Sequence, residues 1–262
     1  MLHKCTDDDK SRIFQYVGDD YKNCLYAFAD LKRYSLNEDF VNAWIDFGDD
    51  QSIRGFIFNY HTGVHVYSRD MSLNIEDAVT LIKSLHPAMI NARKEIIEAL
   101  VPYFEGYEHE YGYILKQEKR QFKMSSRVEP ATPADFHEMA EMLSADYGIG
   151  AGYTTQQLED QIRERYNDNF GRTLVLRVDG KIAAQSITGA EVDEFAVVSY
   201  SIVGIPYRRQ GLFTEVTGSL CSALSQENKD VFCVCYETPA MKAWAKIGCH
   251  PCAEWGKIFK EQ

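Results

Sequence analysis

The chain has 262 residues, room for one large domain or two small ones and for a core that needs no covalent staples. Hydrophobic residues at 45% against 26% charged exclude wholesale disorder. Thirty-nine acids oppose 28 bases for a net charge of −11, and no long basic stretch offsets it, which argues against nucleic-acid and anionic-membrane partners.

Seven cysteines are an odd number, and the opening MLHKCTDDDK lacks the apolar run of a signal peptide. No stretch nears the ~20 apolar residues of a membrane span. The expectation is a cytoplasmic protein with reduced thiols.

In chain order, Ile13 to Val17 and Tyr21 to Leu31 carry apolar residues at helical spacing. The period then changes to that of strands at 41–47, 53–60 and 64–67, the last two joined by a turn at His61-Thr-Gly63. Asn74, followed by Glu76 and Asp77, opens a helix with Ala78, Leu81, Ile82 and Leu85 on one face. A short strand at Met89-Ile90, a helix over 93–103 and a strand over 110–116 follow. A charged stretch over 116–126 reads as a connector, so the domains are expected at 1–120 and 127–262, with a linker at 121–126.

Beyond the connector come a strand at 127–131, a helix started by Thr132-Pro133, and a second helix over 154–167. Strands at 173–178, 182–191 and 195–205 precede a helix over 209–226, a strand over 231–236, a helix over 239–247 and a strand near 254–259. Each half reads helix, three strands, helix, strand, helix, strand, a repeat of pattern without repeated residues.

The informative segment is Val203-Gly-Ile-Pro-Tyr-Arg-Arg-Gln-Gly-Leu-Phe-Thr214. A strand ends, a turn rich in donors follows, and a helix begins. The first N–H groups of a helix lack internal partners and carry the positive end of its dipole, so a phosphate docks there readily. Gly211 lets backbone approach it, and Arg208 and Arg209 add charge. A plain strand-to-helix turn with surface arginines fits the same spacing.

Tyr207-Arg-Arg-Gln-Gly-Leu212 resembles the pyrophosphate loop of the GNAT superfamily of N-acetyltransferases: Gln or Arg, two residues, Gly, one residue, Gly or Ala. Arg208 and Gly211 match, and Phe213 stands where the second small residue is usual. Glu237-Thr-Pro-Ala-Met-Lys-Ala-Trp-Ala-Lys-Ile-Gly-Cys249 is similar to that family's second motif, with Glu237 for its Asn, Trp244 for its Tyr and Cys249 for its Phe.

The resemblance implies an α+β fold with a central, mostly antiparallel mixed sheet flanked by helices, and acetyl transfer from acetyl-CoA to a primary amine of a small molecule or peptide. It implies a gap between the domain's fourth and fifth strands, with Ile202, Val203, Gly204 and Ile205 bonding the pantetheine arm. It places the pyrophosphate on Arg208, Arg209, Gln210, Gly211, Leu212, Phe213 and Thr214, and adds Ala240 to the cofactor contacts. The N-terminal half resembles a degenerate GNAT domain: Tyr67-Ser-Arg-Asp-Met-Ser-Leu-Asn74 precedes its helix without glycine.

The departures bear on mechanism. Trp244 occupies the position of the tyrosine that protonates the leaving thiolate, and an indole cannot serve as that acid. Tyr236 and Tyr200 are the candidate acids, and Glu237 is the candidate base or an N-cap, with Glu191, Asp193 and Glu194 in reserve. A non-catalytic acyl-CoA sensor is the rival reading; an aminoacyl transferase is disfavoured by the loop itself. Cys249-His-Pro-Cys252, with Cys233 and Cys235, has the spacing of a redox pair or half a zinc site, and His61 and His65 flank a turn. Buried free thiols, and a solvated or packed pair of histidines, are the expectation, with no metal.

Overall fold

A computed structural model describes residues 2–118, 124–146, 153–167, 170–236 and 238–260. The chain divides into two compact units, Met1–Ile114 with Cys252–Gln262 and Leu115–Pro251. The expected linker at 121–126 lies partly outside the described residues; the boundaries between the units fall inside two strands, and the last segment of the chain joins the first unit.

The first half of the chain runs β1 (Leu2–Lys4), α1 (Lys10–Val17), α2 (Leu25–Arg33), β2 (Val41–Phe47), β3 (Ile53–Tyr60), β4 (Gly63–Tyr67), α3 (Ile75–Ser84), β5 (Met89–Arg93), α4 (Lys94–Leu100) and β6 (Glu108–Gln117). The second repeats that order as β7 (Val128–Pro130), α5 (Phe136–Ser144), α6 (Thr155–Asn167), β8 (Thr173–Val178), β9 (Lys181–Glu191), β10 (Phe195–Val203), α7 (Leu212–Gln226), β11 (Asp230–Cys235), α8 (Thr238–Lys246) and β12 (Cys249–Phe259). β1 is not anticipated by the sequence; three residues, Leu-His-Lys, carry too little pattern to announce a strand. Among the described residues no helix is long and apolar enough to cross a membrane.

In the first unit the strands lie in the order β1-β2-β3-β4-β5-β12-β6. β12 completes this sheet by pairing antiparallel with β5, Trp255 opposite Arg93 through Phe259 opposite Met89. α3 and α4 cover it, burying Ala78, Ile82, Ile96, Ile97 and Leu100 against Val64, Val66, Ile90 and Ile258. α3 starts as its sequence requires: Asn74 Oδ1 accepts the Asp77 N–H at 3.1 Å.

In the second unit the order is β6-β11-β10-β9-β8-β7. α5 and α6 pack Phe136, Met139, Leu158 and Ile162 on one face, against Val175, Ile187 and Ile202. α7 and α8 cover the other face, where Leu220, Leu224 and Trp244 meet Val198, Val231 and Cys233, and Val216 meets Ala183 and Ala184. The expected start at Thr132-Pro133 is a 3₁₀ turn over Pro133–Asp135 that leads into α5, closed by a capping box in which Asp135 accepts from both the N–H and the hydroxyl of Thr132.

Candidate cofactor site

β10 and β11 run parallel and pair only at Phe195–Val197 with Asp230–Phe232. β10 nevertheless continues to Val203 and β11 to Cys235, so their facing edges part after three residues. The register of β10 against β9 breaks over the same stretch, between Val197 and Val198 and again between Ser199 and Ile202. Ser199 stands opposite Ile187 and Ile202 opposite Gln185, one residue too many, and Tyr200 takes the left-handed φ of 48°. Such a bulge bends its strand and ends regular pairing. In the first unit the corresponding strands stay together, Gly63–Val66 of β4 against Met89–Ala92 of β5.

The expected phosphate loop follows this opening. A single 3₁₀ turn over Ile205–Tyr207 leads to Arg208 in extended conformation, Arg209 at φ 64° and Gly211 at φ 82°, after which α7 begins at Leu212. The helix starts three residues later than the sequence pattern indicates, because Arg209 and Gly211 both sit in the left-handed region. No side chain caps it. A methyl group built on Gly211 would meet nothing within 4 Å, so the surface above the helix N-terminus is open. α3 of the first unit differs: Asn74 caps it and Glu76 and Asp77 make its first turn acidic, which disfavours an anion.

The remaining side chains stand as follows. Arg208 folds back, its Nε donating to Val203 O at 3.2 Å and its Nη2 to Asp146 Oδ2 at 2.9 Å. Ile202 to Arg208 form one wall of a cleft of about 360 Å³ whose other wall includes Glu138, Met142 and Asp146. Arg209 and Gln210 are exposed, Leu212 is buried, and Thr214 is half-buried. Phe213 turns onto α8, its ring 5.3 Å from that of Trp244 and at 89° to it. Asp146 was not legible as a site residue, since an acid just past a helix carries no pattern.

Trp244 is 7% exposed and belongs to the core, as a packing residue rather than an acid. Ala240 packs against the same cluster. Tyr236, just beyond β11, is half-buried. Tyr200 OH donates to Gln161 Oε1 at 3.2 Å, which directs it under α6. Glu237 lies outside the described residues. Glu191 is held by Arg172 at 2.8 Å and Lys229 at 3.3 Å, a structural pair rather than a poised base, while Asp193 and Glu194 are exposed.

The cysteine spacing resolves into strand geometry. Cys249 and Cys252 are three apart on β12, so their side chains leave on opposite faces, and Cys249 packs with Cys221 and Cys233 instead. Among the described residues no group of three or more His, Cys, Asp or Glu could hold a metal.

No protein-family model matches the sequence, and no curated protein matches it. Solved structures do match over the whole chain. An acetyltransferase from the GNAT family of Colwellia psychrerythraea aligns with TM-score 0.62 at 14% identity, covering 100% of both chains. A GCN5-related N-acetyltransferase from Sphaerobacter thermophilus aligns with TM-score 0.65 at 12% identity, over 98% of this chain and 94% of the other. A tandem GNAT protein from the clavulanic acid biosynthesis pathway gives TM-score 0.60 at 10% identity over 98% of each. With its element order repeated, its sheets mixed and these structures spanning both halves, the chain has the tandem GNAT fold.

Proposed function

We propose that the protein is an N-acetyltransferase that uses acetyl-CoA, with its cofactor site in the second unit alone. The observation that carries this reading is the contrast between the halves. One unit has parted strands leading to an uncapped, glycine-started helix; the other has paired strands leading to a capped, acidic one. The open surface above Gly211 and the unpaired edge of β10 suit a long pyrophosphate-bearing thioester. Backbone groups of Ile202 to Ile205 would take its pantetheine arm, and the N–H groups from Arg209 to Thr214 its pyrophosphate. When bound, the group supplies an activated acetyl.

The chain's own residues must then bind the amine, accept its proton and exclude water. With Trp244 sealed in the core, the proton-handling groups are sought at the end of β11, at Tyr236 and Glu237. A free thiol has a pKa only ~1–2 units above neutral, so the thiolate can leave as an anion supported by hydrogen bonds. Calorimetric titration with acetyl-CoA tests the site, and release of free thiol in the presence of primary amines tests the chemistry. Tight binding without thiol release from any amine would favour the acyl-CoA sensor. The soluble, cytoplasmic setting belongs to the same proposal.

A further inference from the structure

Beneath α6, on the sheet face that otherwise holds Val175, Ile187 and Ile202, lies a polar strip. Gln185 on β9 is 0% exposed, and neither its Nε2 nor its Oε1 has a hydrogen-bond partner. Ser199 Oγ and Arg165 Nη1 are likewise buried and unpartnered. These groups lie close together. A methyl group built on Gly189 would sit 2.4 Å from Ser199 Oγ and 3.5 Å from Arg165 Nη1. Ser199 faces Ile187, and Gln185 is two residues along on the same face of that strand, a diagonal neighbour of Ser199.

Among the described residues Arg165 lacks a carboxylate while its Nη1 is buried, unlike the exposed Arg209. In the second unit Arg127, Arg163, Arg172, Arg177 and Arg208 each hold a carboxylate. Among the described residues Arg165 holds none, in a chain with 11 more acids than bases. Its guanidinium instead lies over the ring of Tyr200, 5.2 Å from the centroid, and Tyr200 is itself tied to Gln161 of α6. Leaving several buried donors unmade is costly, and native proteins satisfy such groups or use them.

We infer that Arg165, Ser199 and Gln185 receive the carboxylate of the acceptor, so that the amine acetylated is one of an amino-acid-like molecule bearing a free carboxylate. A carboxylate offers the acceptor oxygens that the Arg165 N–H, the Ser199 hydroxyl and the Gln185 amide lack, and it neutralises the guanidinium. The site lies beside the bulge in β10, where β10 and β11 part, next to where the thioester is proposed to lie. This inference rests on the acetyltransferase reading.

The test uses the full chain with α-amino acids and their carboxamides as paired probes. The native protein should favour the acids at least tenfold in kcat/KM, and Arg165→Gln should collapse that ratio toward one mainly through KM, with Arg165→Lys recovering part of it. Gln185→Leu should raise the Tm while lowering the preference for acids, a combination that a purely structural glutamine would not give. Equal use of acids and amides by the native protein, or an equal loss for both in Arg165→Gln, would overturn the inference. Calorimetry with the amino acid alone separates the two readings. Saturable binding of the acid but not the amide, lost in Arg165→Gln, supports the carboxylate site even without thiol release, whereas failure to bind acetyl-CoA overturns only the acetyltransferase reading.

Discussion

Phe213 and Trp244 meet edge to face, ring centroids 5.3 Å apart, and they are the two positions at which this chain departs from the small residue and the tyrosine of the GNAT motifs. One departure accommodates the other: the first turn of α7 presents a large ring, and α8 answers with a larger one that the core encloses. Trp244→Ala should therefore cost about 3–5 kcal/mol, the usual loss for a buried aromatic. A double-mutant cycle with Phe213→Ala should return a coupling of about 0.5–1.5 kcal/mol in urea titrations. A coupling near zero would separate the two residues.

The phosphate loop makes predictions of opposite sign. Gly211→Glu places a side chain and an anion where the surface is open, in a backbone conformation at φ 82°, and should abolish acetyl-CoA binding. Asp146→Asn should tighten binding several-fold by freeing the Arg208 guanidinium that Asp146 now holds at 2.9 Å. Arg208→Ala should weaken it by up to ~1–3 kcal/mol, the range for a charge-assisted hydrogen bond. Calorimetric titration reads all three.

In the first unit, Asp46 is fully buried, and it accepts from Arg54 Nη2 at 2.7 Å, Arg54 Nε at 3.0 Å and the Asn74 N–H at 2.9 Å. Burial works against its charge, but the Arg54 guanidinium and the Asn74 N–H outweigh it and hold the carboxyl below the usual range. Asp46→Ala should cost about 3–5 kcal/mol by leaving a guanidinium unpaired and the entry to α3 untied. Because the folded pKa is lowered, the native contribution is full above the ordinary carboxylate pKa of ~3.9 and declines as pH falls below it. The mutant should show a smaller loss of stability over that acid range.

His65 on β4 titrates in the opposite chemical sense. Its Nδ1 is sealed without a partner, the ring lies against Tyr26 and Phe58, and burial pulls the imidazole down to about 4. Between that value and ~6.5 the unfolded chain binds a proton that the folded chain refuses. Stability is thus full above pH ~6.5 and falls toward pH 4, by at most about 3 kcal/mol and by less where water reaches the ring edge. His65→Phe should flatten this slope in urea titrations at pH 4.5 and 7.

The thiols should report unfolding. Cys5, Cys24, Cys221, Cys233, Cys235 and Cys249 are buried, whereas Cys252 is half-buried. Burial raises the Cys24, Cys221 and Cys233 thiols well above their ordinary range and pushes Cys5 up to about 12. Mass spectrometry after iodoacetamide should find Cys252 modified first and the others only at the rate of unfolding. Rapid labelling of Cys233 in the folded protein would contradict its place in the core.

Much of this protein is local and so was readable in the amino-acid order. The period-two strands at 41–47 and 53–60, the Asn74 and Thr132 caps and the glycine that starts α7 are each decided within a few residues. Only the tertiary structure decided what depends on residues far apart. The sheet that β12 completes is set by pairing with β5, whose residues lie far earlier in the chain, Arg93 opposite Trp255 and Met89 opposite Phe259, which no local composition records. The parting of β10 from β11 coincides with two register shifts against β9, invisible without the register. Trp244 is a core residue because the cluster around Leu220, Leu224 and Val231 encloses it, and Asp146 joined the loop because Arg208 folds back to it. The strip of Arg165, Gln185 and Ser199 emerged last of all, since an unmet hydrogen bond is a property of what surrounds a side chain rather than of the side chain itself.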